Sequence, residues 1–387
     1  MTEEVLFQIT KDQLETGMRG FPVGYCPTST VDPMKGLFYV GRPVTELATW
    51  RPEEVIYLLM FGKKGSSQEI DQFFAEMGKR SKLKSETVKA IEKLPRQGHP
   101  MKLFSAALLI AGMLEITNDY REDCLNLIAK APHLVALVIN HNAGWGETPA
   151  PRPELGYMEN FAAMVKVPHA DQKKLTEAFR LFNILHYDHG GGNLSTFVGK
   201  AVASGLEDMY GSIVAAMCAL EGPRHGRANQ DCLEFLREVV KEVGENATAA
   251  QVEKLIRDRL ATNKLVFGFG HAVLRVEDPR AQVVYEYLNK HYSSHPLVKI
   301  ALLLRSEGTK VLLENPKISD PHPNIDAISG TLLVVAGFDY PEYFTILFGL
   351  SRIVGIARQI VYERMEARGG KGTPIVRPKY LYNGPKV

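Results

Sequence analysis

The segment KKLTEAFRLFNILHYDHGGG, residues 173 to 192, places Leu175, Ala178, Phe179, Phe182 and Leu185 three or four residues apart. That spacing lines one face of an α-helix and predicts a helix that buries this stripe. The glycines Gly190, Gly191 and Gly192 predict its end, which leaves His186 and His189 at the helix C-terminus. The same period recurs over 102–117, 207–220, 231–243, 249–261, 280–292 and 296–314, with short polar or glycine-bearing links between. A last long helix is expected from near Pro341, a favourable first-turn residue, to Gly369 and Gly370. Up to about Pro43 the chain reads differently, with Gly, Pro, Thr and short runs such as GLFYV predicting turns and small strands. The fold class that follows is mainly α.

With 387 residues, 45% of them hydrophobic, the chain can bury a substantial core, and its size suggests a large domain with a smaller one. A net charge of +2 gives no general argument for nucleic acid or an anionic membrane as partner. Cys26, Cys124, Cys218 and Cys232 have neither CxxC nor zinc-ligand spacing, which favours reduced thiols in the cytoplasm. The start, MTEEVLFQIT, is acidic and carries no apolar or arginine-rich leader, and no membrane-spanning segment is expected.

Polar clusters interrupt the helical pattern. In HYDHGGGN, His186 and His189 are three apart on one face and could bind a metal, but no third ligand at metal spacing is evident nearby. In GPRHGRANQ, His225 stands at the approach to a new helix, whose dipole favours the neutral imidazole; a turn histidine that caps the helix is the plainer reading. GFGHAVLRVEDPR, residues 268 to 280, sets His271 behind Gly268 and Gly270, which let backbone N–H groups approach a ligand. Arg275 and Arg280 there supply charge for phosphate or carboxylate. A capped helix start at EDPR explains the Asp-Pro but not the histidine and arginines. In HPNIDAISG, Asp326 lies between Ile325 and Ala327, a candidate for burial and a raised pKa, or else a simple N-cap. Arg352 interrupts the apolar run FTILFGLSRIVGI, and a buried guanidinium requires an anionic partner, either an internal acid or a bound carboxylate.

Taken in order, DHGGGN, GPRHGRANQ, GFGHAVLRVEDPR, PNIDAISG, LSR and RPK resemble the citrate synthase family, from about residue 180 to the C-terminus and more loosely upstream. The resemblance implies a helical homodimer with a large domain, 1–227 and 337–387, and a smaller mobile domain, 228–336. It implies condensation of acetyl-CoA with oxaloacetate to give citrate and CoA, without metal or other cofactor, the CoA thioester being a substrate. On matching positions, Asp326 is the implied base, His225 the donor to the thioester oxygen and His271 the donor to the oxaloacetate carbonyl. His189, Arg280, Arg352 and, across the dimer interface, Arg377 would hold oxaloacetate. Phe267, Gly268, Phe269, Gly270, Arg275 and Lys317 would meet CoA. A 2-methylcitrate synthase using propionyl-CoA is the nearest alternative, because one methylene is worth only about 1–3 kcal/mol of discrimination. Outside this class stand a metal-dependent hydrolase built on His186, Asp188 and His189, and a CoA-binding protein without chemistry.

Overall fold

The computed structural model describes residues 5–316, 318 and 320–385. After a 3₁₀ turn at Lys11–Gln13 comes an antiparallel sheet of β1 (Ser29–Asp32), β2 (Gly36–Tyr39) and β3 (Arg42–Pro43) in that order, with Ser29 opposite Tyr39. The chain is then helical: α1 (Val44–Leu47), α2 (Pro52–Phe61), α3 (Ser67–Arg80), α4 (Ser85–Ile91), α5 (Pro100–Glu115), α6 (Tyr120–Ala143) and α7 (Tyr157–Met164). Next come α8 (Gln172–His186), α9 (Leu194–Ala203), α10 (Met209–Leu220), α11 (Ala228–Val243), α12 (Ala249–Ala261), α13 (Pro279–Tyr292), α14 (Pro296–Leu313), α15 (Asp326–Val335) and α16 (Phe344–Val361).

The starts follow from local chemistry. Asp171 accepts from the amides of Lys173 and Lys174 to open α8, Asn193 accepts from Thr196 to open α9, and Asp278 accepts from Arg280 to open α13 behind Pro279. The expected final helix is three pieces rather than one. Pro341 begins a 3₁₀ turn to Tyr343, α16 follows, and a π turn over Tyr362–Glu366 ends the helical run before Gly369.

Every residue of α16 except Arg358 is buried, so this helix is the centre about which α6, α8, α9 and α10 pack. Helices α11 to α15 pack mainly among themselves, with α13 also meeting α1 and β2 and α15 meeting α8. One expectation is corrected: Tyr120–Ala143 and Pro341–Glu366 are long and apolar enough to cross a membrane. Their apolar windows are 83% and 94% buried inside the fold, where core helices of this length also place such runs. The four cysteines are free.

Asp188, fully buried just past α8, ties three parts of the molecule together. Its carboxylate accepts from Thr28, from Ser29 at 2.8 Å, from Gln359 Nε2 at 2.9 Å and from the His189 amide at 2.9 Å. Helix α16 comes close enough to permit this because residue 355 is glycine; a Cβ there would lie 2.5 Å from the Asp188 carboxyl carbon. Gly355→Ala is therefore expected to cost about 1–3 kcal/mol, since a wedge in a packed interior forces neighbours off their minima. Thermal unfolding checks this against Gly205→Ala, whose added methyl meets only ordinary contacts. Equal melting points for the two variants would show that Asp188 can yield.

Candidate functional site

The loop 267–271 and the approach to α15 are zipped together. Phe269 and Pro323 form an antiparallel bridge, the Gly270 amide donates to His322 O at 2.9 Å, and the Asn324 amide donates to Gly268 O at 2.9 Å. Gly268 and Gly270 both have positive φ, and a Cβ on Gly268 would meet Ala327 Cβ at 2.6 Å, so glycine is required for this approach. The Asn324 side chain completes the clamp. Its Nδ2 donates to Gly270 O at 2.8 Å and its Oδ1 accepts from the Asp326 amide at 3.0 Å.

His271 and Asp326 thus stand on one unit. The amides of Val273 and Leu274 both donate to His271 Nδ1, at 3.0 Å each, which puts the ring proton on Nε2. Burial and the Arg280 charge lower the His271 pKa to about 4, so the ring is a neutral donor. Asp326 is the first residue of α15 and caps nothing; Ile325 is the N-cap, and the Asp326 carboxyl has no hydrogen bond or ion pair among the described residues. Burial raises its pKa to about 6, against the opposing fields of Arg280 and Arg352 and with a further push from Asp278.

His225 is neutral for a reason the sequence did not reveal. Its partner is the N-terminus of α9 rather than the helix it precedes: the Ser195 amide donates to Nε2 at 3.3 Å, with Ser195 Oγ at 2.9 Å. An amide only donates, so Nε2 is bare and Nδ1 carries the proton. Burial, then Arg352, lowers this pKa to about 4.

Arg352 is 2% exposed, and among the described residues no carboxylate lies within 4 Å of it. Its Nε donates to His186 O at 3.0 Å and its guanidinium sits 4.7 Å over the Phe348 ring, which leaves both terminal nitrogens free. Burial lowers its pKa to about 10, leaving it charged at neutral pH. Phe348 in turn lies 6.2 Å from His225. Arg280 is only partly free: Nε and Nη2 are held by Asp278, with Nη2 at 2.7 Å, and Nη1 has no partner among the described residues. His189 stacks edge-on to His271 at 5.2 Å, and its buried Nε2 has no partner. Burial and both arginines push its pKa well down.

Other expected residues are not gathered here. Arg275 lies at the surface with Nη1 on the carbonyls of Val273 and Leu274, Arg377 is exposed in the tail with no partner among the described residues, and Lys317 lies outside them. The metal-hydrolase reading fails on geometry. His186 turns Nδ1 onto Phe182 O at 2.7 Å, Asp188 is saturated by its own donors, and no group of three or more His, Cys, Asp or Glu side chains among the described residues is arranged for a metal.

What these parts define is a helical enzyme with two neutral imidazole donors, one unpaired carboxyl and an arginine pair awaiting an anion. Residues 17–379 match the family model described as "Citrate synthase, C-terminal domain". The chain is 34% identical to the mitochondrial citrate synthase of Citrus maxima over 401 aligned positions, covering 97% of this chain and 83% of that protein, and the same figures hold for the Daucus carota enzyme. Its fold is similar to citrate synthase from Thermotoga maritima MSB8 (TM-score 0.81, 28% identity, 96% of each chain). It is equally similar to citrate synthase from Thermoplasma acidophilum in ternary complex with carboxymethyl coenzyme A and oxaloacetate (TM-score 0.82, 27% identity, 96% of each chain). The chain belongs to the citrate synthase family.

Asn324 and Ser195 went unassigned in the sequence. Asn324 carried a readable signal, an Asx turn two residues before a helix start, whereas the pairing of Ser195 with His225 is purely tertiary. Asn324→Ala is expected to lower kcat about 10- to 100-fold, because a small misplacement of the reacting groups is enough for that. Oxaloacetate affinity, measured by calorimetry, should change little. A kcat at the parent level would show that the backbone bridge alone sets the geometry.

Proposed function

We propose that Asp326, His225 and His271 carry out the reaction of a citrate synthase in this chain. That reaction is the condensation of acetyl-CoA with oxaloacetate, followed by hydrolysis of citryl-CoA to citrate and free CoA. The observation that carries the assignment of roles is unmatched charge: among the described residues, the buried guanidinium of Arg352 has no carboxylate in ion-pair range, and the Asp326 carboxyl, which feels its field, has no hydrogen bond.

The methyl of a thioester is a very weak acid, so a carboxylate removes its proton only where the nascent oxyanion is stabilised by fixed donors. Asp326, with its pKa raised to about 6, is a stronger base than an ordinary aspartate and still ionised at neutral pH. His225 Nδ1–H donates to the thioester oxygen as the enolate forms, a contribution of about 3–4 kcal/mol for a donor of this kind. His271 Nε2–H donates to the oxaloacetate carbonyl oxygen as the carbon–carbon bond forms. His189, Arg280, Arg352 and the partner subunit's Arg377 hold the two carboxylates. Arg275, the backbone of Phe267 to Gly270, and Lys317 meet CoA. The scheme uses side chains and backbone alone.

Residues 228–336 act as a small domain closing on 1–227 and 337–387. Unpartnered buried atoms gather at the junction, Arg227 Nε, Asn229 Oδ1 and Nδ2, Gln230 Oε1 and Ser329 Oγ, which supports a second arrangement in which they are paired. Dimer formation is supported by the tail. The Val376 amide is held by Ser204 Oγ at 2.9 Å, whereas Ile375, Tyr380, Leu381 and Tyr382 are exposed. A cytoplasmic location is supported by the free thiols.

The pH profile tests the base. Asp326 must be ionised, so kcat/KM for acetyl-CoA is expected to fall as pH drops through about 6. The histidines, with pKa values near 4, add no limb above pH 5. Asp326→Asn should cut kcat severely with oxaloacetate binding nearly intact, and His225→Asn should lower the plateau without moving the limb. A limb that follows His225 would assign the base elsewhere.

Subunit mixing tests Arg377. In a mixed dimer of Asp326→Asn and Arg377→Ala chains, the site on the Arg377→Ala chain keeps its own Asp326 and borrows an intact arginine. Equal mixing makes about half the dimers mixed, so roughly a quarter of all sites should regain full activity. Exchange verified by mass spectrometry without that gain would place Arg377 in its own chain's site.

A further inference from the structure

A second cavity lies among α2, α3, α6, α7 and the loop leading into α7, and none of its lining side chains belongs to the cleft. It holds about 430 Å³ of space between atoms, its open mouth included. Phe73, Met77, Leu155 and Met164 give it an apolar and largely aromatic or thioether wall. A cavity of this lining suits a single ring, edge-on to phenyl groups and in contact with sulfur.

Two polar side chains in the lining are more than nine-tenths buried, Glu53 at 5% and His133 at 4% exposure. Each has hydrogen-bonding capacity left over. Glu53 Oε1 accepts from the Tyr157 amide and the carboxyl also meets its own backbone N–H, and among the described residues it has no ion pair and no side-chain partner. His133 Nδ1 accepts from the Leu83 amide at 3.1 Å, so the proton is on Nε2, which has no partner among the described residues. His133 lines the cavity and Leu83 does not.

The wall is held firmly. Pro132 inside α6 has no N–H to give, which leaves Ile128 O open, and Tyr157 Oη donates to it at 2.8 Å. Tyr157 thereby fixes the amide that holds Glu53. Burial lowers the His133 pKa to about 4, so the ring is neutral, and burial raises that of Glu53.

We propose that this cavity is a small-molecule site for a neutral one-ring phenol, whose hydroxyl donates to Glu53 Oε2 and accepts from His133 Nε2–H. An anionic ligand meets the Glu53 carboxyl at close range, and an ammonium ligand, which has donors only, leaves the His133 N–H without an acceptor. A ring without a hydroxyl leaves both buried groups unpaired, as they are in the empty site.

The test uses 4-methylphenol as probe and toluene, benzoate and benzylamine as controls, with the full-length protein in calorimetry and thermal unfolding. One saturable site per chain is expected, with 4-methylphenol bound about tenfold or more tighter than toluene and unaffected by saturating oxaloacetate and CoA. Glu53→Gln should erase most of the preference over toluene. Ala129→Leu, which fills the lining from α6, should abolish binding while turnover is unchanged. If that variant fails to fold, the Glu53→Gln comparison decides alone. No saturable binding, equal affinity for toluene, tighter binding of benzylamine or benzoate, or displacement by the substrates would each overturn the proposal.

Discussion

A buried carboxylate without a cation beside it stands at the centre of this molecule. Asp188 is fully buried, and its charge is compensated by hydroxyls, an amide side chain and a backbone N–H rather than by a cation within ion-pair distance. Such a group is tolerable in a packed interior only when its lone pairs are filled, and removing one donor leaves a charge unsolvated. The donors come from three distant parts of the chain, the start of β1, the turn after α8 and the last full turns of α16. Their convergence sets where His189 leaves α8 and how α16 is seated, and with α16 the position of Arg352. The small N-terminal sheet, which looks peripheral, is one of the three supports.

Around this point the protein controls protonation chiefly through the backbone. Two amides point at His271 Nδ1 and one points at His225 Nε2, so each imidazole is left with its proton on the opposite nitrogen. Nearby arginines and burial both oppose a second proton, and their effects add. The same arginines favour the charged form of Asp326, yet burial is the larger effect and the pKa rises. A single positive field therefore serves opposite ends: it keeps two donors neutral and moderates how far a base is raised.

The helical fold was legible because the period of Leu175, Ala178, Phe179, Phe182 and Leu185 is a local property, as are the caps at Asp171, Asn193 and Asp278. Some of the polar residues that the structure brings together were conspicuous in the sequence too, such as the lone Arg352 in an apolar helix and His271 just after Gly268 and Gly270. What escaped was pairing. His225 does stand just before α11, as the sequence suggests, but its ring pairs with the start of α9, which lies well upstream in sequence and is brought to it only by packing. Arg280 looked wholly available, but Asp278, two residues away and already an N-cap, holds two of its nitrogens. The two long apolar helices escaped for a different reason: Tyr120–Ala143 and Pro341–Glu366 have polar interruptions that a search for unbroken runs passes over.

The clamp made by Asn324 bears on how the cleft can move. His271 and Asp326 belong to segments far apart in sequence, but the bridge at Phe269 and Pro323 makes them one mechanical piece. The spacing of these two groups is therefore fixed before any ligand arrives. His225 and Arg352 are mounted separately, His225 on the turn before α11 with its ring held by the start of α9, and Arg352 on α16. Under the domain closure proposed above, assembly of the site has few degrees of freedom, essentially the placement of one preformed unit against another. Drift in the linking segments would then change how often the two units meet without altering the geometry inside either.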